Sequence, residues 1–136
     1  MTDFRHVTDD LSVAPQISVA DVAEAKAQGF TAIVCNRPDG EDPGQPSAAE
    51  IAAAAQAAGL TYTHIPVRGA PGPAEVEAMR QAVDAADGPV LAYCRSGTRS
   101  ITTWSIGQAM SGARERGELV ALGRAAGYDL TAALGG

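Results

Sequence analysis

PVLAYCRSGTRS, Pro89 to Ser100, is the stretch on which the reading of this chain turns. Its first half, Pro89 to Cys94, is a continuous apolar run, the pattern of a strand buried on both faces of a parallel sheet. Its second half turns at Gly97 and enters a helix expected from about Thr98 to Gly112. A strand, a glycine turn and a helix start, in that order, aim backbone N–H groups and the positive end of a helix dipole at one point. Cys94 stands at that point. Arg95 and Arg99 bring guanidinium groups beside it, and each of these features favours thiolate over thiol. Gly97 supplies the backbone freedom such a turn needs, and Ser100 is a candidate hydroxyl donor to the sulfur. The loop therefore predicts Cys94 as nucleophile and Arg99 as its catalytic partner. Arg95, Ser96, Gly97, Thr98 and Ser100 would form the cradle that binds an anion. The blander alternative is a buried structural cysteine with solvent-facing arginines; the position between strand and helix argues against it.

Outward from this stretch the chain alternates strands and helices. Leu11 to Ala14 reads as a short strand. Ser18, with Asp21 three residues on, opens a helix that Gly29 ends. Phe30 to Cys35 is a second buried strand. Asn36 to Pro46 holds three prolines and two glycines and reads as a loop. Ser47, with Glu50 as a capping box, starts a helix that runs to Gly59. Thr61 to Val67 is the next strand, Gly69 to Gly72 a turn, and Pro73 the first position of a helix with Val76, Met79, Val83 and Ala86 inward. Glu115 to Tyr128 is expected to be helical, and the terminal Gly135 and Gly136 to fray. This order predicts an α/β fold, a central mostly parallel sheet of four to five strands with helices on both faces, as one domain over residues 1–136. In such sheets sites form beyond the carboxyl ends of the strands. The loops after Cys35, Val67 and Tyr93 all emerge there.

With 136 residues, the chain is long enough for one real core. Its net charge of -6 argues against nucleic acid and anionic membranes as partners. Two cysteines are too few for a disulfide scaffold. Met1 to Asp10 is polar with no apolar core, which predicts no signal peptide, a mobile start that includes His6, and the cytoplasm as compartment. No apolar run is long enough to span a membrane. No His, Cys and carboxylate set has zinc spacing, so neither metal nor cofactor is expected.

Other residues carry two readings each. Arg37 is a candidate substrate contact. Asn36, Asp39 and Glu41 are accessory candidates, the carboxylates as partners that orient Arg95 or Arg99, against plain loop scaffolding. Cys35 reads as packing rather than a resolving thiol, His64 as a hydrogen-bonded structural histidine, and Trp104 as core. Gln16 carries two readings as well, packing or a hydrogen bond near the site, and the sequence does not choose between them.

The segments LSVAPQIS (Leu11 to Ser18), NRPDGEDPGQPS (Asn36 to Ser47), THIPV (Thr63 to Val67) and PVLAYCRSGTRS, followed by Trp104, resemble the phosphatase-like domain of bacterial β-lactamase-hydrolase-like proteins. That resemblance implies a fold related to the tyrosine and dual-specificity phosphatases, and an activity of either phosphatase or rhodanese type. Two features separate these. The phosphatase pattern places five residues between its cysteine and arginine; here four lie between Cys94 and Arg99, and Ser100 takes the arginine position. The Cys-Arg-x-Gly-x-Arg spacing instead resembles a rhodanese loop. Phosphatase chemistry also needs an acid for the leaving group, and Arg68 to Pro73 holds no carboxylate before Glu75, although Asp39, Glu41 and Asp42 are available in the other loop. These features favour a sulfurtransferase. Cys94 would take a sulfane sulfur from a small anionic donor such as thiosulfate or a persulfide and pass it to a thiol acceptor. The alternatives are phosphoester hydrolysis through a phosphocysteine, and an inactive anion-binding module. The oligomeric state, a homo-oligomer included, stays open.

Overall fold

The structure, a computed structural model, describes residues 2–135. Five strands form one sheet: β1 (Arg5–Thr8), β2 (Leu11–Ala14), β3 (Ala32–Cys35), β4 (Thr61–His64) and β5 (Val90–Tyr93), in the spatial order β1-β2-β5-β3-β4. β2, β5, β3 and β4 run parallel; only the edge strand β1 is antiparallel. The helices are α1 (Val19–Ala27), α2 (Ala48–Ala57), α3 (Pro73–Ala85), α4 (Thr98–Met110) and α5 (Arg116–Ala126).

Strand alternation sends successive side chains to opposite faces, and two cores result. Leu11, Val13, Ala32, Val34, Val90 and Ala92 pack with Met79 of α3, Ile101 and Trp104 of α4 and Leu119 of α5. Ala14, Ile33, Cys35, Leu91 and Tyr93 pack with Val22 and Ala25 of α1 and Ile51 and Ala55 of α2. Each fully buried Leu or Ile in these layers contributes about 1.5–3 kcal/mol. The expected helices on both faces are therefore present. Trp104 is core.

Three expectations change. The polar start is not a loose end: His6 lies in β1, opposite Ser12, because Val7 inserts into the core while its neighbours face solvent. The strand expected over Thr61 to Val67 is regular only to His64, because Pro66 has no N–H to give a ladder, although Ile65 and Val67 still donate to Cys35 O and Asn36 O at 2.8 and 3.0 Å. At α2, Ser47 Oγ accepts the Glu50 N–H at 3.1 Å, but the second cap comes from Asp39, whose Oδ1 accepts the Ala48 N–H at 2.8 Å. At α1 the full Ser18–Asp21 capping box is present. Of the two terminal glycines expected to fray, Gly135 stands in a turn and donates its N–H to Ala132 O at 3.3 Å, and Gly136 lies outside the described residues.

Register places the site. Ala14 and Cys35 both pair with Tyr93, and Cys35 pairs with His64. The four parallel strands thus end in one row. Residues 15–17, 36–42, 65–68 and 94–97 leave that row side by side, with Cys94 on the central strand.

Candidate active site

Cys94 continues the sheet by one bond, its N–H donating to Ala14 O at 3.3 Å. The chain then turns sharply, with Gly97 at φ +93, in the left-handed region that favours glycine. The turn folds the Gly97 N–H back onto the Cys94 sulfur at 3.1 Å. Ser96 Oγ accepts the Thr98 N–H at 3.4 Å, and α4 begins. Cys94 is fully buried at the floor of this loop, with the α4 N-terminus beside it.

Arg99 is the second half of the site. A guanidinium has five N–H donors. Nη1 donates to Glu41 Oε2 at 2.7 Å and to Val67 O at 3.0 Å; Nη2 donates to Glu41 Oε1 at 2.8 Å. Three donors are thereby held, and the Nε–H and the remaining Nη2–H, which share one edge, are left open. The Glu41 carboxylate chiefly, and Cys94 to a smaller degree, favour the charged form of Arg99. Hydrogen bonds from Arg99, then from Arg37, hold the Glu41 carboxyl down at about 2. Glu41 is thus a fixed anion that orients Arg99.

Arg37 answers differently from its expected role. It is 4% exposed, and all its nitrogens are engaged: Nε with Glu41 at 2.9 Å, Nη1 with Gln16 Oε1 at 3.0 Å and Nη2 with Asp42 at 2.6 Å. A buried charge needs such pairing. Arg37 pins the loop rather than facing a substrate. Arg95 is exposed and lies 3.5 Å from Asp42. Asp39 is occupied at the start of α2, away from both arginines of the cysteine loop. Asn36 ties β3 to the chain after β4 through Ile65 O at 3.0 Å. His64 Nε2 donates to Arg37 O at 2.9 Å, a structural bond.

One more expectation falls, at Ser100, while the packing expected of Cys35 is met. Ser100 Oγ is buried without a hydrogen-bond partner, so it does not donate to the sulfur here. Cys35 faces Tyr62 and Tyr93 in the α1–α2 layer, donates to Arg37 O at 3.4 Å, and has its thiol pushed up by burial. Strand alternation sends Cys35 and Cys94 to opposite sides of the sheet, which is a packing role for Cys35. Among the described residues, no group of three or more His, Cys, Asp or Glu side chains is placed to hold a metal, and no helix is long and apolar enough to cross a membrane.

One contact had no signal in the sequence. Tyr128, just beyond α5, donates its hydroxyl to Ser96 O at 2.8 Å. It meets a backbone carbonyl 32 residues away, which no side-chain pattern announces.

Residues 3–111 match the family of the beta-lactamase hydrolase-like protein, phosphatase-like domain. The chain belongs to this family. A beta-lactamase hydrolase-like protein of Agrobacterium fabrum is 41% identical over 128 residues, 93% of this chain and 30% of the relative. This chain thus spans under a third of the length of that curated relative. Among solved structures, the phosphatase-like domain superposes on a candidate phosphatase of Neisseria meningitidis with TM-score 0.86 and 34% identity, covering 97% of this chain and 94% of the other. It also superposes on the kinase associated phosphatase with a catalytic-site cysteine changed to serine, at TM-score 0.73 and 17% identity, covering 98% and 89%. The latter likeness is one of fold. Both place the domain among the phosphatase-type α/β folds.

Proposed function

We propose that this domain is a cysteine-dependent phosphatase of phosphate monoesters. The observation that carries the reading is the Gly97 N–H on the Cys94 sulfur at the head of α4, with the charged Arg99 close enough to feel that sulfur, within a phosphatase-type fold. Cys94 thiolate attacks phosphorus; an S–P bond forms and the ester P–O bond breaks. Loop N–H groups and the Nε–Nη2 edge of Arg99 hold the non-bridging oxygens as charge spreads over them. Water then attacks phosphorus, the S–P bond breaks, and thiolate and inorganic phosphate are released.

The leaving group narrows the substrate. Glu75 accepts the Gly72 N–H at 2.9 Å and caps α3, Asp39 caps α2, and Glu41 and Asp42 are paired with arginines. Among the described residues, each of these four carboxylates is thus already engaged. The domain therefore suits esters whose leaving group departs as an anion, aryl phosphates ahead of alkyl phosphates. The cytoplasm, which keeps such a thiol reduced, is the compartment that suits the chemistry.

Sulfur transfer is the second reading. The four-residue spacing to Arg99 and the missing acid favour it. Cys94 would attack the outer sulfur of thiosulfate, release sulfite and hold a persulfide until a thiol acceptor took the sulfur. The family is described as a phosphatase-like domain and the Neisseria structure as a candidate phosphatase, and this sets the order of the two.

Both readings meet in one experiment. Aryl phosphate hydrolysis, alkyl phosphate hydrolysis and thiosulfate-to-cyanide transfer are measured on one preparation beside Cys94→Ser. Aryl phosphate turnover that the variant loses, with alkyl esters slower, is expected. Sulfur transfer without phosphate release would reverse the order.

A further inference from the structure

The peptide between Ser96 and Gly97 is held from both ends. Its carbonyl oxygen accepts the Tyr128 hydroxyl at 2.8 Å, and its N–H meets the Cys94 sulfur at 3.1 Å. In a planar trans peptide the C=O and N–H point in opposite directions. Whatever fixes one fixes the other. A peptide flip would turn the carbonyl oxygen toward the sulfur, replacing a donor by a repulsive acceptor. We infer that Tyr128 is a positioning residue for catalysis: it anchors the Ser96 carbonyl outward and so keeps the Gly97 N–H on the Cys94 sulfur.

The surroundings fit this role. A Cβ at residue 97 would collide with the Tyr128 hydroxyl oxygen, so the glycine and the tyrosine occupy one space. Tyr128 is 9% exposed, its ring packs in the α3–α5 layer, and its own N–H donates to Gly123 O at 2.8 Å. The Arg5 guanidinium, from β1, lies over the ring at 5.1 Å. Arg5 is in turn paired with Asp3 at 3.0 Å. Arg124 and Asp129, on the same segment, line a shallow cavity together with Tyr128. The Arg99 guanidinium is a charged group that interacts with the sulfur. Burial, opposed by the Arg5 charge and aided by the Cys94 charge, raises the Tyr128 hydroxyl above its ordinary value and so favours the neutral form, which can donate. The anchor also lies beyond the residues matched to the family, 3–111, so the assignment of the family does not supply it. The inference rests on the thiolate role of Cys94 and is independent of which ester or sulfur donor that thiolate attacks.

Tyr128→Phe removes the donor and keeps the ring. The rate of Cys94 alkylation by iodoacetamide is followed against pH in the intact protein, with kcat and KM for an aryl phosphate measured alongside. The acidic limb of the alkylation profile is expected to move to higher pH. The rate at low pH should fall about threefold to tenfold, the weight of one hydrogen bond, while the high-pH plateau is kept. For turnover, kcat should fall more than KM rises. A purely structural loss would expose the thiol and speed alkylation at every pH; that result, or a profile that overlays the wild type, overturns the inference. If the variant does not fold, the wild-type protein still decides. The Gly97 amide proton resonance should shift as Cys94 ionises, and this response should vanish in Cys94→Ser. A Gly97 resonance indifferent to that ionisation overturns the inference, whereas Cys94→Ser retaining turnover would defeat the thiolate reading itself.

Discussion

At the scale of single residues, the site is a division of labour between two loops. Cys94 and Arg99 are the residues proposed to face the substrate, and Glu41 holds Arg99 by its Nη1 and Nη2 atoms. Glu41→Gln keeps the shape and removes the charge. It should lower kcat/KM for an aryl phosphate by roughly tenfold to a hundredfold through misplacement of the arginine. The same residue gives a pH dependence. Its carboxyl sits at about 2 in the folded protein against an ordinary 4.5. Because the folded value is the lower one, the ion pairs add stability above the ordinary value and lose it as pH falls toward the folded one. Thermal melting followed from neutral to acid pH should show a decline across that window that Glu41→Gln reduces. Much of this was legible in the sequence. Cys-x-x-Gly-x-Arg after an apolar run is local, and local geometry follows from it. Arg37 was harder: only the structure shows Gln16, Glu41 and Asp42 closing around it.

At the scale of elements, helix starts are the readable features, because caps are short-range. Ser18 with Asp21 and Pro73 at the head of α3 stand where the sequence places them. Asp39 shows the limit. As an acidic residue in a loop near arginines it reads as part of the site, yet it reaches across nine positions to the first N–H of α2. Asp39→Ala should therefore destabilise the fold by about 0.5–2 kcal/mol, read as a lower melting temperature, with little change in the Cys94 alkylation profile. The reverse pattern, an intact melting temperature with altered cysteine reactivity, would return Asp39 to the site.

At the scale of the whole molecule, the alternation of strands and helices predicted a parallel sheet covered on both faces. Strand order was not legible, since pairing across β2, β5, β3 and β4 depends on long-range contacts rather than on local pattern. β1 was hidden for a related reason. An edge strand needs one buried face, and Val7 alone supplies it. Tyr128 is the extreme case, a side chain meeting a backbone atom of another element. What the assembled molecule does is bring four strand ends and one distant tyrosine together around a single sulfur. The most direct test of that account is acid-quench mass spectrometry of the Cys94 peptide during aryl phosphate turnover. A phosphoryl group on Cys94, absent in Cys94→Ser, is the predicted result. Continued turnover with Cys94 unmodified at every quench time, or a persulfide there with no phosphate released, would contradict it.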